Sequence, residues 1–265
     1  MATKDSLGDR MKHNYEDRYR VYMTRRTPVI IRIDGKAFHS FTKGLNRPYD
    51  MVMKNAMWAT TKELCENIMG CQLAYIQSDE ISLLLTDYKK LTTEAWFDYN
   101  LQKVCSVSAS MATRTFNKWF RYYTEEYGAS SVNENEDSAK YISLCRKKYD
   151  KAEFDARAFN IPENEVSNYF IWRQQDATRN SIEMLGRCYF AHKELHQVTC
   201  SGIQNKLMLE KNVNWNDCPT FFKRGVCVKR VVNDEGDSRW EKDMEIPIFT
   251  QQRSYIEELL KMDEE

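Results

Sequence analysis

Residues 29–33 are β-branched and apolar except for Arg32, with Pro28 before them and Asp34-Gly35 after them. That is the pattern of a buried strand that runs into a turn. A second stretch rich in apolar residues, 72–85, predicts two strands meeting at Ser78-Asp79-Glu80. Between the two stretches, Val52, Ala56, Met57, Ala59, Thr60, Leu64 and Ile68 recur at helical spacing across residues 49–69. Residues 92–127 predict another long helix, with Trp96, Phe97, Leu101, Val104, Val107, Ala112, Phe116, Trp119 and Phe120 turned inward. Residues 6–26 predict a helix as well: Leu7, Met11, Tyr15, Tyr19, Tyr22 and Met23 share one face, and Asp5 or Ser6 is placed to cap it. Residues 128–138 are polar and unpatterned, as in a mobile loop, and residues 153–159 alternate like a strand.

The order from residue 28 is therefore strand, helix, strand, strand, helix, strand. This predicts an α+β chain with a ferredoxin-like β-α-β-β-α-β core over residues 28–160. In that arrangement the end of the first strand lies beside the central hairpin, which brings Asp34 next to Asp79. Beyond it, Pro162 sits at the first turn of a helical section, with helices expected over 163–176, 178–196 and 202–212. Strands are expected over 220–232 and 245–249, and a closing helix over 254–261. We read residues 1–265 as one unit, with residues 161–265 an extension packed on the core.

Composition narrows the class only a little. With 265 residues the chain can bury a sizeable core. Lysine plus arginine and aspartate plus glutamate balance at 39 each, so total charge demands neither nucleic acid nor a membrane. The eight cysteines stand singly without a Cys-x-x-Cys pair, which suits reduced thiols in a cytoplasmic protein. The first 20 residues are polar and charged, and no long apolar run appears, so no membrane partner is expected.

The chemistry concentrates at the two turns. Carboxylates converging at adjacent strand ends raise each other's pKa unless a cation lies between them. Mg²⁺ suits such a pair, because it keeps waters and binds one or two carboxylates together with substrate phosphates. Each aspartate alone is equally a turn residue; the two together point to a site with Asp34, the Gly35 carbonyl and Asp79 as ligands, and to two-metal chemistry on a nucleoside triphosphate. Glu80 follows directly and should turn to the other face, as a strand-end charge beside a basic group. The amides of Gly35, Lys36, Ala37, Phe38 and His39 can form a phosphate-binding turn. Arg32, Lys36, His39, Lys43 and Arg47 are cations within reach of a triphosphate. Basic residues mixed with aromatics at 114–123, at Trp172-Arg173 and at 221–224 suit RNA contacts, although a packed helix with solvated cations gives the same pattern. Cys188, His192, His196 and Cys200 recur every four residues; this is conceivable for zinc, but it departs from the usual ligand spacings and is also what a packed face looks like.

Five segments, taken together, resemble the tRNA-His guanylyltransferase superfamily. They are residues 32–41 (RIDGKAFHSF), 77–80 (QSDE), 154–157 (FDAR), 172–176 (WRQQD) and 214–225 (NWND and KRG), and they follow the family's order. The resemblance implies a polymerase/cyclase-type palm, addition of nucleotides to the 5′ end of tRNA in the 3′-to-5′ direction, two Mg²⁺ ions and commonly a homotetramer. Carried over by position, Asp34, Gly35 and Asp79 match metal ligands. Residues 34–39 with Ser78 and Asp79 match nucleotide-binding segments, and Glu80 matches an acidic position important to activity. Arg47 stands where the family has an activation-site lysine. Arg32 belongs with the nucleotide-binding set, and Arg173, Asn180, Lys223 and Arg224 are candidate RNA contacts. One departure matters. Eukaryotic members continue past Trp-Arg-Gln-x-Asp into His-Ile-Asn-Asn-Leu-Tyr, whereas residues 176–183 here read DATRNSIE and keep only Asn180. The chain is thus similar to the guanylyltransferase-like branch, which implies templated repair of tRNA with an incomplete 5′ end, using ATP and nucleoside triphosphates. G addition restricted to tRNA-His is the first alternative. A nucleotide cyclase and a non-catalytic RNA-binding protein are the others.

Overall fold

The structure, a computed structural model, describes residues 6–130, 136–233 and 236–262. Its centre is a six-stranded sheet in the order β4-β1-β3-β2-β5-β6, with every neighbouring pair antiparallel. In chain order the elements are α1 (Ser6–Met11), β1 (Val29–Gly35), α2 (Phe38–Phe41), α3 (Met51–Asn67), β2 (Cys71–Gln77), β3 (Glu80–Leu85), α4 (Leu101–Ser130), α5 (Glu136–Arg146) and β4 (Phe154–Asn160). They continue with α6 (Glu163–Tyr189), α7 (His192–Leu195), α8 (Cys200–Lys211), α9 (Thr220–Arg224), β5 (Val226–Val232), β6 (Ser238–Asp243) and α10 (Ser254–Glu257).

Strand alternation sorts the apolar side chains into two layers. Val29, Ile31 and Ile33 of β1 join Ile81, Leu83 and Leu85 of β3 in a core shared with α3 and α4. Ile30, Leu73, Tyr75 and Leu84 join Val166, Phe170 and Ile171 of α6 on the other side. The central strands are covered on both faces, which is why they read as continuous apolar runs. A third cluster, Ile182, Leu185, Ile203, Leu207 and Phe222, ties the far half of α6 to α8 and α9.

Several expected elements fall differently. Residues 6–26 are not one helix: α1 gives way to a π turn, Lys12–Glu16, and a 3-10 turn, Asp17–Tyr19, none with a buried residue. Leu7, Tyr15 and Tyr19 are exposed, so no tertiary packing holds that face helical. Ser6 opens α1, and Asp5 lies outside the described residues. The long second helix starts at Leu101 rather than near 92, because Phe97 and Asp98 take left-handed φ of 52° and 51° and the Asn100 side chain accepts from Lys103 N–H at 3.0 Å. The expected loop over 128–138 is helical at both ends, α4 running to Ser130 and α5 starting at Glu136; residues 131–135 lie outside the described residues.

In the second half, residues 163–176 and 178–196 are not two helices. With no breaker at Ala177, which is buried, α6 runs unbroken to Tyr189 and stops at extended Phe190. Pro162 caps that helix rather than opening its first turn. Residues 220–224 are helical and carry buried Phe222 into the third cluster; the strand begins only after Gly225, at φ +87°, where a Cβ would stand 2.5 Å from the Ile76 carbonyl oxygen. The last strand is β6, not 245–249. There the Gln174 side chain replaces a ladder partner, accepting from Phe249 N–H and donating to the Pro247 carbonyl, both at 2.9 Å. No helix among the described residues is long and apolar enough to cross a membrane.

Candidate active site

Asp34 is the penultimate residue of β1 and is registered opposite Glu80 of β3. The next amide, Gly35 N–H, donates to the Asp79 carbonyl at 3.2 Å, so the two carboxylate-bearing turns are bonded to each other. Gly35 is required by what folds beneath it: a Cβ there would lie 2.3 Å from the Phe38 ring. That ring is buried, 5.0 Å from the Phe41 and Phe154 rings between centroids and 5.5 Å from Phe116. Phe38 therefore anchors the turn from below, and His39 is left exposed. The phosphate cradle is smaller than five amides. Gly35 N–H is taken by Asp79 and Lys36 N–H donates to the Glu153 carbonyl at 2.9 Å, leaving at most Ala37 (φ 53°), Phe38 and His39. The Lys36 ammonium pairs with Glu153 at 2.5 Å on the surface.

Ser78, at φ 49°, turns the hairpin and leaves Asp79 half-buried at its tip. Burial pushes the Asp79 carboxyl up from the ordinary carboxylate range. A hydrogen bond from Ser78 opposes that shift, the Asp34 charge adds to it, and Lys54 pulls weakly the other way. The Asp34 contribution shows that the two carboxylates sense each other, which makes the pair a candidate for a cation. Among the described residues no cluster of three or more histidine, cysteine, aspartate or glutamate side chains occurs. The donor set expected from the sequence, two carboxylates and the Gly35 carbonyl, consists of hard oxygens. This fits Mg²⁺, which fills the rest of its shell with water and phosphate oxygens, and it does not fit zinc. The expected Cys188, His192, His196 alignment is absent because α6 ends at Tyr189; the two imidazoles lie 6.3 Å apart and the Cys188 thiol donates to the Met184 carbonyl.

Glu80 behaves as the neighbour of a basic group. Only 8% exposed, it receives Arg173 Nε at 2.8 Å and Arg173 Nη2 at 2.9 Å. Arg173, expected at an RNA surface, is itself 6% exposed and also donates to Asp176 at 3.0 Å. Its guanidinium locks α6 to the hairpin that carries Asp79 and is turned away from solvent. Arg32 lies 3.9 Å from the same glutamate and 6.0 Å above the Trp172 ring.

A cleft of about 170 Å³ opens beside the hairpin tip, lined by Arg47, Tyr49, Lys54, Ser78, Asn180 and Phe222 among others. Arg47 and Asn180, far apart in sequence, meet here. Asn180 donates to Asp176 at 3.3 Å, which links the cleft wall to the Arg173 network. Lys223 and Arg224 are not at the hairpin tip: the Lys223 ammonium donates to the Asn216 carbonyl at 2.5 Å beneath Trp215, and the Arg224 carbonyl accepts from the Tyr75 hydroxyl at 2.5 Å. In residues 114–123, Phe116 and Phe120 are core, while Arg114 and Lys118 pair with Glu63 at 3.2 and 2.9 Å. Sequence reasoning missed Lys54, which burial pushes down to about 8. Its one signal was a charge among Val52, Met53, Ala56 and Met57 on an otherwise apolar helix face.

The family described as Thg1, tRNAHis guanylyltransferase, matches residues 8–162. Over 97% of its length the chain is 27% identical to protein R259 of Acanthamoeba polyphaga mimivirus, covering 88% of that protein. It is 26% identical to the tRNA(His) guanylyltransferase of Saccharomyces cerevisiae over 76% of this chain and 82% of that one. A solved bacterial tRNA(His) guanylyltransferase (Thg1)-like protein in complex with ATP superposes with a TM-score of 0.82 at 46% identity, covering 97% of this chain and 100% of the other. A bacterial Thg1-like protein in complex with GTP gives a TM-score of 0.76 at 43% identity over the same shares.

Proposed function

We propose that this chain, which belongs to the tRNAHis guanylyltransferase family, is a template-dependent 3′-to-5′ nucleotidyltransferase that rebuilds incomplete 5′ ends of tRNA. Family members are nucleotidyltransferases that act on tRNA. The observation that carries the finer reading is the convergence of Asp34 and Asp79 at bonded turns beside a cleft with cations on its wall. The ATP and GTP complexes of the bacterial Thg1-like proteins support nucleoside triphosphates as its ligands. The lack of the His-Ile-Asn-Asn-Leu-Tyr continuation after Asp176 supports templated repair over G addition confined to tRNA-His.

In this reading the tRNA 5′-monophosphate attacks the α-phosphorus of ATP, and pyrophosphate leaves. The 3′-hydroxyl of the incoming nucleoside triphosphate then attacks the adenylylated 5′ phosphorus, its proton passes to solvent, and AMP leaves with the bonding electrons. Asp34, Asp79 and the Gly35 carbonyl would hold two Mg²⁺ ions, which when bound supply charge neutralisation at the phosphates. The chain's own part is positioning. Phe38 and Gly35 fix the first turn, and the Glu80–Arg173 pair fixes the second. Arg47 faces the cleft as a cation for the triphosphate, with more delocalised charge than a lysine would bring. A homotetramer agrees with the exposed apolar side chains of the N-terminal segment, Leu7, Met11, Tyr15 and Tyr19.

The test is a tRNA lacking its first 5′ nucleotide, supplied with ATP, Mg²⁺ and each nucleoside triphosphate in turn against each opposing base. Addition that follows the template base is expected. G addition restricted to tRNA-His would replace this reading with the guanylyltransferase activity. A cyclic nucleotide made without RNA, or no addition even to a 5′-triphosphorylated end, would end it.

A further inference from the structure

Two cations beside the site have no ion-pair partner among the described residues and line the same cleft. Lys54 stands on α3 one turn after Asp50, the residue that caps the helix by accepting from Met53 N–H at 3.0 Å. A helical side chain leans toward the helix N-terminus, which here means toward the cleft. Lys54 lines that cleft together with Gln77 and Ser78 of the hairpin. Among the described residues its ammonium makes no hydrogen bond and no ion pair; the carboxylate that attracts it is Asp79, beyond salt-bridge range. Asp50, the nearer carboxylate in sequence, is occupied by the helix cap, by Asn46 N–H at 3.0 Å and by the Tyr141 hydroxyl at 2.7 Å. Arg47, on the same cleft, likewise has no ion-pair partner among the described residues.

Lys54 is half-buried in the cleft wall, and a partly desolvated ammonium without a close protein counter-ion is stabilised by an anion brought from outside. We infer that Lys54 is a phosphate-binding residue of this cleft, receiving a phosphate oxygen that lies between it and the Asp34–Asp79 turns. The inference rests on the nucleotidyltransferase reading for the identity of the anion and deepens it, adding to Arg47 a second cation that the motifs do not mark. Two sources share that chemistry: the triphosphate of a nucleotide and the 5′ phosphate of the RNA. The cleft's aromatic lining, Tyr49, Phe221 and Phe222, favours the nucleotide, since a base can pack where a phosphate is held.

The test is binding rather than turnover. Full-length wild type, Lys54→Met and Lys54→Arg are titrated by calorimetry with ATP, AMP and adenosine, and with a tRNA acceptor minihelix bearing either a 5′ phosphate or a 5′ hydroxyl. Loss of one charge-assisted contact should weaken ATP binding by Lys54→Met on the order of ten- to a hundredfold, leave adenosine unchanged and be partly restored in Lys54→Arg. If instead only the contrast between 5′-phosphate and 5′-hydroxyl minihelix is lost, the anion is that of the RNA and the assignment to phosphate stands. ATP affinity and minihelix contrast both within about twofold of wild type would overturn it. Wild type that binds ATP through Lys54 yet adds no nucleotide would sink the nucleotidyltransferase reading and leave this one intact.

Discussion

Replacing Arg173 with methionine isolates what holds the Asp79 hairpin. Arg173 and Glu80 form a two-pronged pair at 2.8 and 2.9 Å, with 6% and 8% of their surfaces exposed. Removing one partner of such a buried pair costs about 3–5 kcal/mol, because the other charge stays desolvated and alone. Two neighbours soften the loss. Gln77 Nε2 already donates to Glu80 at 3.3 Å, and Arg32, whose buried Nε makes no hydrogen bond, lies 3.9 Å away. We therefore expect Arg173→Met to lose about 3 kcal/mol, the lower end of that range. Against a typical total of about 5–15 kcal/mol this leaves a folded protein. Arg173→Met combined with Glu80→Gln should recover about 1–2 kcal/mol relative to the sum of the single changes, since the buried Glu80 charge is then gone with the guanidinium that faced it. Urea denaturation at pH 7, read by tryptophan fluorescence, measures all three. A loss below about 1 kcal/mol for Arg173→Met, or strict additivity in the double variant, would refute the claim that this pair is the clamp. Arg173→Lys should fall in between, because an ammonium cannot make the two parallel bonds.

Three further outcomes are expected. Asp79→Asn should abolish nucleotide addition without loss of stability at pH 7. The carboxyl's raised pKa means that its contribution is full below the ordinary carboxylate pKa and lost as pH rises through the raised value, so an uncharged amide removes a penalty. Retained addition, or a wild-type-like rise of melting temperature with Mg²⁺ in this variant, would contradict its role. Lys54, lowered from 10.5 to about 8, contributes stability that is present above pH 10.5 and lost as pH falls through 8. Wild type should therefore gain stability between pH 8 and 10.5, and Lys54→Met should be flatter there and more stable at pH 7; equal urea midpoints at pH 7 would refute this. Gly35→Ala should cost about 1–3 kcal/mol through overlap with the Phe38 ring and be partly repaired by Phe38→Leu; an unchanged thermal midpoint would show that the turn yields freely.

The local pattern of apolar and polar residues determined the centre of this protein. The runs at 29–33 and 72–85 became β1, β2 and β3, because strands buried on both faces must be apolar throughout. The turn residues at their ends fixed where Asp34 and Asp79 fall. The charge of those two aspartates, and the resemblance they carry, were likewise legible in the chain. What needed the tertiary structure was every choice decided by a distant partner. Residues 6–26 carry a helical period but find little within the described chain to bury it against. Residues 245–249 look like a strand, yet Gln174, more than 70 positions earlier, satisfies their backbone instead. Arg173 reads as a surface cation until folding sets it against Glu80, 93 positions away. Lys54 reads as an interruption of an apolar helix face until folding sets it in the wall of the cleft that Ser78 also lines. Periodicity reports which face of a segment is apolar; only the assembled molecule decides which neighbour that face meets, and so which charges are paired and which are left for a ligand.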